Sequence, residues 1–160
     1  MRMVDRYRRW FSRASSTAFA RNWLGPKVDA RLDRWLYKPT RGGLVSLGSR
    51  AFPTLLLTTT GHKTGRSHTV PLFYLQRGAS LLVVASNYGR VGHPGWSANL
   101  LHNAGCRVQV RDDTWPGRAR LLPPDEKEQV WPELVRLFDG WQTYENETAR
   151  SIRVFSLDRV

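Results

Sequence analysis

The chain has 160 residues, one cysteine and a formal net charge of +12, and it contains no apolar run near the ~20 residues that a membrane-spanning helix needs. The length is typical of one domain. A single cysteine excludes an internal disulfide framework and fits a reducing compartment, so we expect a cytoplasmic protein. The charge is uneven, because residues 1–50 carry 12 Lys and Arg against 3 Asp and Glu. A basic field of this size attracts nucleic acid, anionic lipid or an acidic small molecule, and charge alone does not choose among them.

Residues 1–50 are predicted to form helices. In the first of them, apolar residues recur at helical spacing among arginines: Tyr7, Trp10, Phe11 and Ala14. A basic helix with an aromatic face suits an anionic membrane surface, here the inner face of the plasma membrane. A terminal helix packed on its own domain has the same pattern. A second helix is predicted near 28–37.

Residues 51–160 are predicted to form one domain of strands and helices. Strands are expected at about 53–60, 68–76, 80–86, 107–111, 118–121 and 152–157, and helices near 94–102, from 124 onwards, and around 141–148. Pro132 is expected to kink or break the helix that starts at 124. Very short turns between the central strands favour antiparallel pairing. The fold class is therefore α+β, a small antiparallel barrel of about six strands with surrounding helices.

A glycine-bounded, cationic loop follows the first strand. Gly61 and Gly65 bracket Lys63, and Arg66 comes next. Glycine permits positive φ and close approach to a ligand, and such turns expose consecutive N–H groups that suit an anion. This loop is a candidate site for a phosphate or carboxylate. Further along the same strand pair, Pro71 indicates a sheet edge, a bulge or a ligand against the backbone.

Two later stretches complete a possible cofactor site. A hydrophobic strand ends in the small and polar residues of 85–89, and 93–100 offers a helix N-terminus beside an aromatic side chain. Taken singly, each stretch is also typical of an ordinary turn or core contact. The four histidines lack the spacing of a zinc helix, so no metal is expected. No GxSxG, GxxxxGK[ST] or GxGxxG signature is present.

The chain resembles the deazaflavin-dependent nitroreductase family in three stretches, LLLTTTGHKTGRSHTVPLFYL, VVASNYGRVGHPGWSANLLHNAGCRVQV and IRVFSLD, with an aromatic helix before the last. Members of this family are coenzyme F420-dependent reductases of actinobacteria and include F420H2-dependent quinone reductases. The match spans about residues 50–158. It implies the split β-barrel that the family shares with FMN-binding oxidases.

The resemblance also implies a set of site residues. Cofactor binding falls on Lys63, Thr64, Gly65 and His68 for the phosphate and acidic tail of F420, on Val70, Pro71, Ser86, Asn87 and Gly89 around the deazaflavin ring, and on Trp96 and Asn99 as the pocket closure. Substrate contacts fall on Tyr88, Trp141 and Tyr144. A hydroxyl of Ser86 or Tyr144 is the candidate proton donor to the reduced acceptor. His68 and the Asn87–Tyr88 pair depart from the usual family residues, which are arginine and Lys-Gly.

The leading hypothesis is a reductase that takes hydride from F420H2 and passes it to a quinone such as menaquinone, a nitroaromatic or a similar electron-poor acceptor. The cofactor supplies the chemistry and the protein orients it. One alternative keeps the fold and binds FMN or haem. Another is a non-catalytic basic protein of the membrane surface. Nucleic acid is not an expected partner, and the oligomeric state is left open.

Overall fold

A computed structural model describes residues 52–160 of the chain. They form β1 (Thr54–Thr60), β2 (Ser67–Arg77), β3 (Ser80–Ala85), a short 3-10 helix (Asn87–Gly89), α1 (Gly95–His102), β4 (Gly105–Val110), β5 (Asp113–Leu121), α2 (Pro124–Leu137), α3 (Gly140–Glu147) and β6 (Arg153–Arg159). The helices predicted in residues 1–50 and their membrane contact lie outside the described residues. The domain division near residue 50 therefore stays a prediction.

The six strands close into a barrel in the order β1-β2-β3-β6-β5-β4, and every neighbouring pair is antiparallel. The predicted fold class, an α+β split β-barrel of about six antiparallel strands with surrounding helices, is confirmed. Within residues 52–160, no helix combines the length and the apolar character that a membrane crossing requires.

Strand β3 is apolar from Leu81 to Ala85 because both of its faces are covered. Leu81, Val83 and Ala85 point into the barrel interior, where α1 adds Trp96 and Leu100 to the same cluster. The alternate residues of β3 belong to a second apolar cluster, which packs beneath α2 and α3. Because successive side chains of a strand point to opposite faces, a strand covered on both faces needs a continuous apolar run.

Helix α2 runs without a break from Pro124 to Leu137 and passes through Pro132. Of the two outcomes predicted for Pro132, a break is wrong, and a kink stays a prediction. A proline in a helix interior costs ~3 kcal/mol. Val130 and Leu134 are both buried in the second cluster on either side of it, and each such burial contributes about 1.5–3 kcal/mol. Packing of the apolar stripe therefore outweighs the cost of the proline.

The barrel is split along part of β2. Residues 74–77 of β2 pair with β3, whereas residues 67–73 pair with β1 alone. Pro71, which lies opposite Leu56 of β1, belongs to this single-partner half. Of the three explanations that the sequence left open for Pro71, the structure shows a sheet edge, where a residue without a backbone N–H is tolerated.

Candidate functional site

The loop between β1 and β2 is a tight turn that needs both of its glycines. The Gly61 N–H donates to the Arg66 carbonyl at 2.8 Å, and the Gly65 N–H donates back to the Gly61 carbonyl at 2.7 Å. Gly65 has φ +66°, and a Cβ at Gly61 would lie 2.7 Å from Thr64 Oγ1. A side chain at Gly61 would force this loop open, and one at Gly65 would strain it.

Two exposed cations lie on this loop. Lys63 and Arg66 are both exposed, and within residues 52–160 neither is part of a salt bridge. His68 is also exposed and lies opposite Thr59 at the start of β2. The loop therefore presents positive charge to solvent on a backbone held in one conformation, which is the arrangement that an anionic ligand requires.

Asn99 of α1 holds this loop against the barrel. Its Oδ1 accepts the backbone N–H of His62 at 3.0 Å and contacts His62 Nδ1 at 2.9 Å. Its Nδ2 donates to Thr59 Oγ1 at 3.0 Å, and only 6% of Asn99 is exposed. The sequence placed Asn99 at the site, and the structure gives it a definite position as the buried link between α1, β1 and the loop.

The turn after β3 is the most strained backbone of the described residues. Asn87, Tyr88 and Gly89 have consecutive positive φ values of 50°, 55° and 71°. For each of the two non-glycine residues this conformation costs about 1–2 kcal/mol. A Cβ at Gly89 would lie 3.1 Å from Tyr144 Cδ1, so the turn packs closely on α3. Such strain persists only where the surrounding structure fixes it.

Arg150 supplies much of that surrounding structure. Its guanidinium donates to the carbonyls of Ser86 at 2.6 Å, Arg90 at 3.0 Å and Ala85 at 3.4 Å, and Nη1 lies 3.1 Å from His93 Nδ1. Sequence reasoning missed Arg150. No local pattern could have found it, because its partners lie 57 to 65 positions earlier in the chain.

The electrostatics of this cluster keep the imidazole neutral. Burial lowers the pKa of His93 below 6.5, and the charges of Arg153 and Arg150 lower this pKa further. A neutral imidazole can accept a hydrogen bond at Nδ1, which is the role that Arg150 requires of it. Burial also lowers the pKa of Arg150, while Glu145 opposes that shift.

The aromatic residues predicted for the site are separated by the fold. Trp96 lies in the barrel interior with its ring 5.7 Å from that of Phe155. Trp141 and Tyr144 are buried in the second cluster, Tyr144 at 2% exposure, whereas Tyr88 is 37% exposed at the rim. Their contact with a ligand stays a prediction, and the observed role of Tyr144 is to back Gly89.

Helix α1 relates the loop to the strained turn. Asn99, which holds the loop, lies four residues after Gly95, where α1 begins, and this is a rise of about 6 Å. The strained turn leads into the same helix end through His93. Val70 and Pro71 are half-buried on the single-partner half of β2, and Ser86 is half-buried at the end of β3.

Cys106 of β4 lies opposite Thr59, the residue that accepts from Asn99. Within residues 52–160 no three His, Cys, Asp or Glu side chains are grouped to hold a metal ion. Burial raises the pKa of the Cys106 thiol to about 11, so the thiol stays protonated at neutral pH. A protonated thiol is a poor nucleophile, so Cys106 does not suggest thiolate chemistry.

Comparison with known proteins gives consistent results. Residues 29–159 match a protein family described as F420H(2)-dependent quinone reductase. An F420H(2)-dependent quinone reductase of Mycobacterium tuberculosis strain H37Rv is 31% identical over 148 residues, which cover 86% of this chain and 96% of that protein. A solved structure described as an F420-H2 dependent reductase is 34% identical with a TM-score of 0.61, and it covers 66% of this chain and 94% of its own. A second structure, described as a domain-swapped dimer, is 32% identical with a TM-score of 0.63 and covers 80% and 94%.

Proposed function

Because the chain belongs to the F420H2-dependent quinone reductase family, it is an oxidoreductase with coenzyme F420 as hydride donor, and we propose that its acceptor is a quinone. The quinone class comes from the family and from the similar reductases. The proposal adds the residues of this chain that carry the reaction.

The observation that carries the proposal is the cationic loop. F420 has a phosphate and several glutamates in its tail, so its holder needs exposed cations that no carboxylate has neutralised. Lys63 and Arg66 meet this requirement within the described residues. We propose that Lys63, Thr64, Gly65 and His68 hold this tail, with backbone N–H groups and cations acting together.

The ring would lie beside the split edge of the barrel. Val70 and Pro71 offer a half-buried apolar border on β2. Gly89 packs closely on Tyr144 and, being glycine, places no side chain on the turn at that point. We propose that these residues, with Ser86 and Asn87, border the deazaflavin. The exposed cations of the loop suit an anionic arm, and the half-buried apolar border of β2 suits a flat ring.

The chemistry then divides between cofactor and protein. The bound reduced cofactor supplies a hydride. We propose that Ser86, half-buried beside the turn, donates a hydrogen bond from its hydroxyl to the acceptor oxygen that gains charge. Tyr144 is the second hydroxyl proposed for this role, and Tyr88 and Trp141 are proposed acceptor contacts. Trp96 and Asn99 would exclude water from the pocket side that faces α1.

We also propose that the protein works at the inner face of the membrane, because quinones dissolve in lipid and residues 1–50 are strongly basic. Salt-sensitive binding of the full chain to anionic vesicles, lost on deletion of residues 1–25, tests this part. Binding that salt or the deletion leaves unchanged would contradict it.

The reductase proposal is tested with purified full-length protein, F420H2 and menadione, by following the loss of the reduced-cofactor signal. A nitroaromatic in place of menadione compares the two acceptor classes under the same conditions. Wild-type protein that binds F420 yet leaves menadione unreduced would contradict the quinone proposal.

The site itself is tested by a charge-matched pair of variants. Lys63→Glu is expected to weaken F420 binding about 10- to 100-fold, because a charge-assisted contact contributes 1.5–3 kcal/mol. Arg77→Glu makes the same change in net charge at the far end of β2, ten residues along the strand from Ser67, which follows the loop. Fluorescence titration should show Arg77→Glu within about twofold of wild type at physiological salt, where screening is effective. Equal effects of both variants would show that overall charge, and not this loop, holds the cofactor.

A further inference from the structure

We propose that Arg150 is a positioning residue of the reductase site. Its guanidinium holds the turn Asn87–Gly89 in the left-handed conformation and thereby directs the backbone N–H of Asn87 away from Arg150, to the side where the proposed function places the cofactor ring. That the ring lies on this side rests on the proposed function. That Arg150 holds the turn does not depend on any cofactor.

The first support is the set of acceptors that Arg150 meets. Three are backbone carbonyls, at Ala85, Ser86 and Arg90, and the fourth is the neutral imidazole of His93. Within residues 52–160, Arg150 forms no salt bridge. A half-buried arginine that uses its donors on one loop stabilises that loop rather than a charge pair.

The neighbouring charges do not supply an alternative partner. The nearby carboxylate of Glu145 accepts from Lys127 Nζ at 2.5 Å and from the backbone N–H of Ile152 at 3.1 Å. Arg153 adds positive charge and donates to Ser97 Oγ at 3.4 Å. The guanidinium of Arg150 is therefore left to the turn.

The second support is the geometry of the Ser86–Asn87 peptide. The peptides of the described residues are trans, so the N–H of Asn87 points opposite to the carbonyl of Ser86. That carbonyl accepts from Arg150 at 2.6 Å and from the Gly89 N–H at 3.1 Å. Within residues 52–160 the Asn87 N–H has no acceptor. A cation on the carbonyl side polarises the peptide and makes this N–H a better donor.

The third support is the strain. Asn87 and Tyr88 have positive φ although neither is glycine, and for the bulky Tyr88 this conformation persists only where the surroundings fix it. Those surroundings include Arg150 on the carbonyl side and Tyr144 against Gly89. The Asn87 side chain adds a bond from Nδ2 to the Gly92 carbonyl at 2.8 Å.

The first experiment measures amide hydrogen exchange in the cofactor-free, full-length protein. Arg150→Met removes the donors and keeps an apolar stem, and we expect exchange across residues 86–92 to rise at least tenfold. Arg120→Met, which removes an arginine bonded to Glu126 on another face, is the control and should leave this segment unchanged. Unchanged exchange in folded Arg150→Met protein would overturn the proposal.

The second experiment tests coupling and remains informative if Arg150→Met folds poorly. Tyr88→Gly removes the strain at one position. When Arg150 no longer holds the turn, the wild-type turn can relax and recover part of this strain energy, which the Tyr88→Gly turn cannot. The loss of stability caused by Arg150→Lys should therefore be larger in a Tyr88→Gly background than in wild type. Arg150→Lys keeps the charge but cannot reach three carbonyls at once. Additive effects of the two substitutions would show that Arg150 does not hold the turn in this conformation.

The third experiment connects the contacts of Arg150 to cofactor binding. F420 titration should give at least tenfold weaker binding for Arg150→Met, and an intermediate value for Arg150→Lys. Raised exchange with unchanged F420 affinity would overturn the role of the Asn87 N–H. A wild-type protein that binds no F420 would instead refute the proposed function. The exchange result would still decide whether Arg150 holds the turn.

Discussion

The two turns that flank α1 hold their shapes in opposite ways. The turn from Gly61 to Arg66 is closed by bonds within itself and requires glycine at two positions. The turn from Asn87 to Gly89 is held by Arg150 and Tyr144, which lie some 60 residues later in the chain. The first turn can therefore be read from its own residues. The second depends on the completed fold.

The two turns also differ in what they offer a ligand. The first exposes the cations Lys63 and Arg66, which recognise charge. The second is flanked by carbonyls that accept from Arg150, at Ser86 and Arg90, and it offers the backbone N–H of Asn87 and the surface of Gly89. An anionic arm suits the first turn and a neutral ring edge suits the second.

The largest loss of stability is expected at Asn99, because this residue of α1 attaches the first turn to the rest of the fold. Asn99→Leu removes the acceptor of the His62 N–H and the donor to Thr59 Oγ1, and should lower the free energy of unfolding by about 3 kcal/mol. Chemical denaturation measures this loss. Asn103→Ala at the other end of α1, which removes an exposed bond to Gly105, should cost less than about 1 kcal/mol.

F420 titration of the same two variants sharpens the comparison. Asn99→Leu should weaken binding, since the loop that carries Lys63 loses its attachment to α1, and Asn103→Ala should not. A destabilised Asn99→Leu protein with wild-type affinity would mean that the first turn keeps its shape without help from the fold.

The next effect separates two glycines with positive φ, one in each turn. Gly65→Ala meets no atom within 4 Å, so it should cost only the conformational strain, about 1 kcal/mol. Gly89→Ala adds crowding against Tyr144 at 3.1 Å and should cost about 2 kcal/mol. Thermal denaturation of both variants measures the difference. Equal losses would indicate that the second turn is not held by α3.

The smallest effect concerns pH. Above the ordinary pKa of 6.5, His93 is neutral in both the folded and the unfolded chain, and the bond from Arg150 is intact. As the pH falls below 6.5 towards the lower folded pKa, the unfolded chain takes up the proton first, so the free energy of unfolding decreases. His93→Asn, which can accept from Arg150 without titrating, should remove this part of the pH dependence. Denaturation at pH 7.5 and at pH 5 checks the result, and an identical slope in both proteins would contradict it.

The sequence predicted the barrel well, for physical reasons that are local. Alternating residues in β5 and short turns between strands identify antiparallel pairing, and Gly61 and Gly65 identify the first turn. The sequence did not reveal that the helix continues through Pro132, because the burial that outweighs the proline comes from tertiary packing. Arg150 was missed for the same reason, since it reaches its partners in residues 85–93 only when β6 pairs with β3.

The left-handed turn has a consequence for the thermodynamics of association. Its backbone loses conformational entropy when the chain folds, before any ligand arrives, so that ordering does not subtract from affinity later. The protein is correspondingly less stable than a relaxed turn would make it. A variant selected for heat resistance at Asn87 or Tyr88 should therefore bind the coenzyme more weakly.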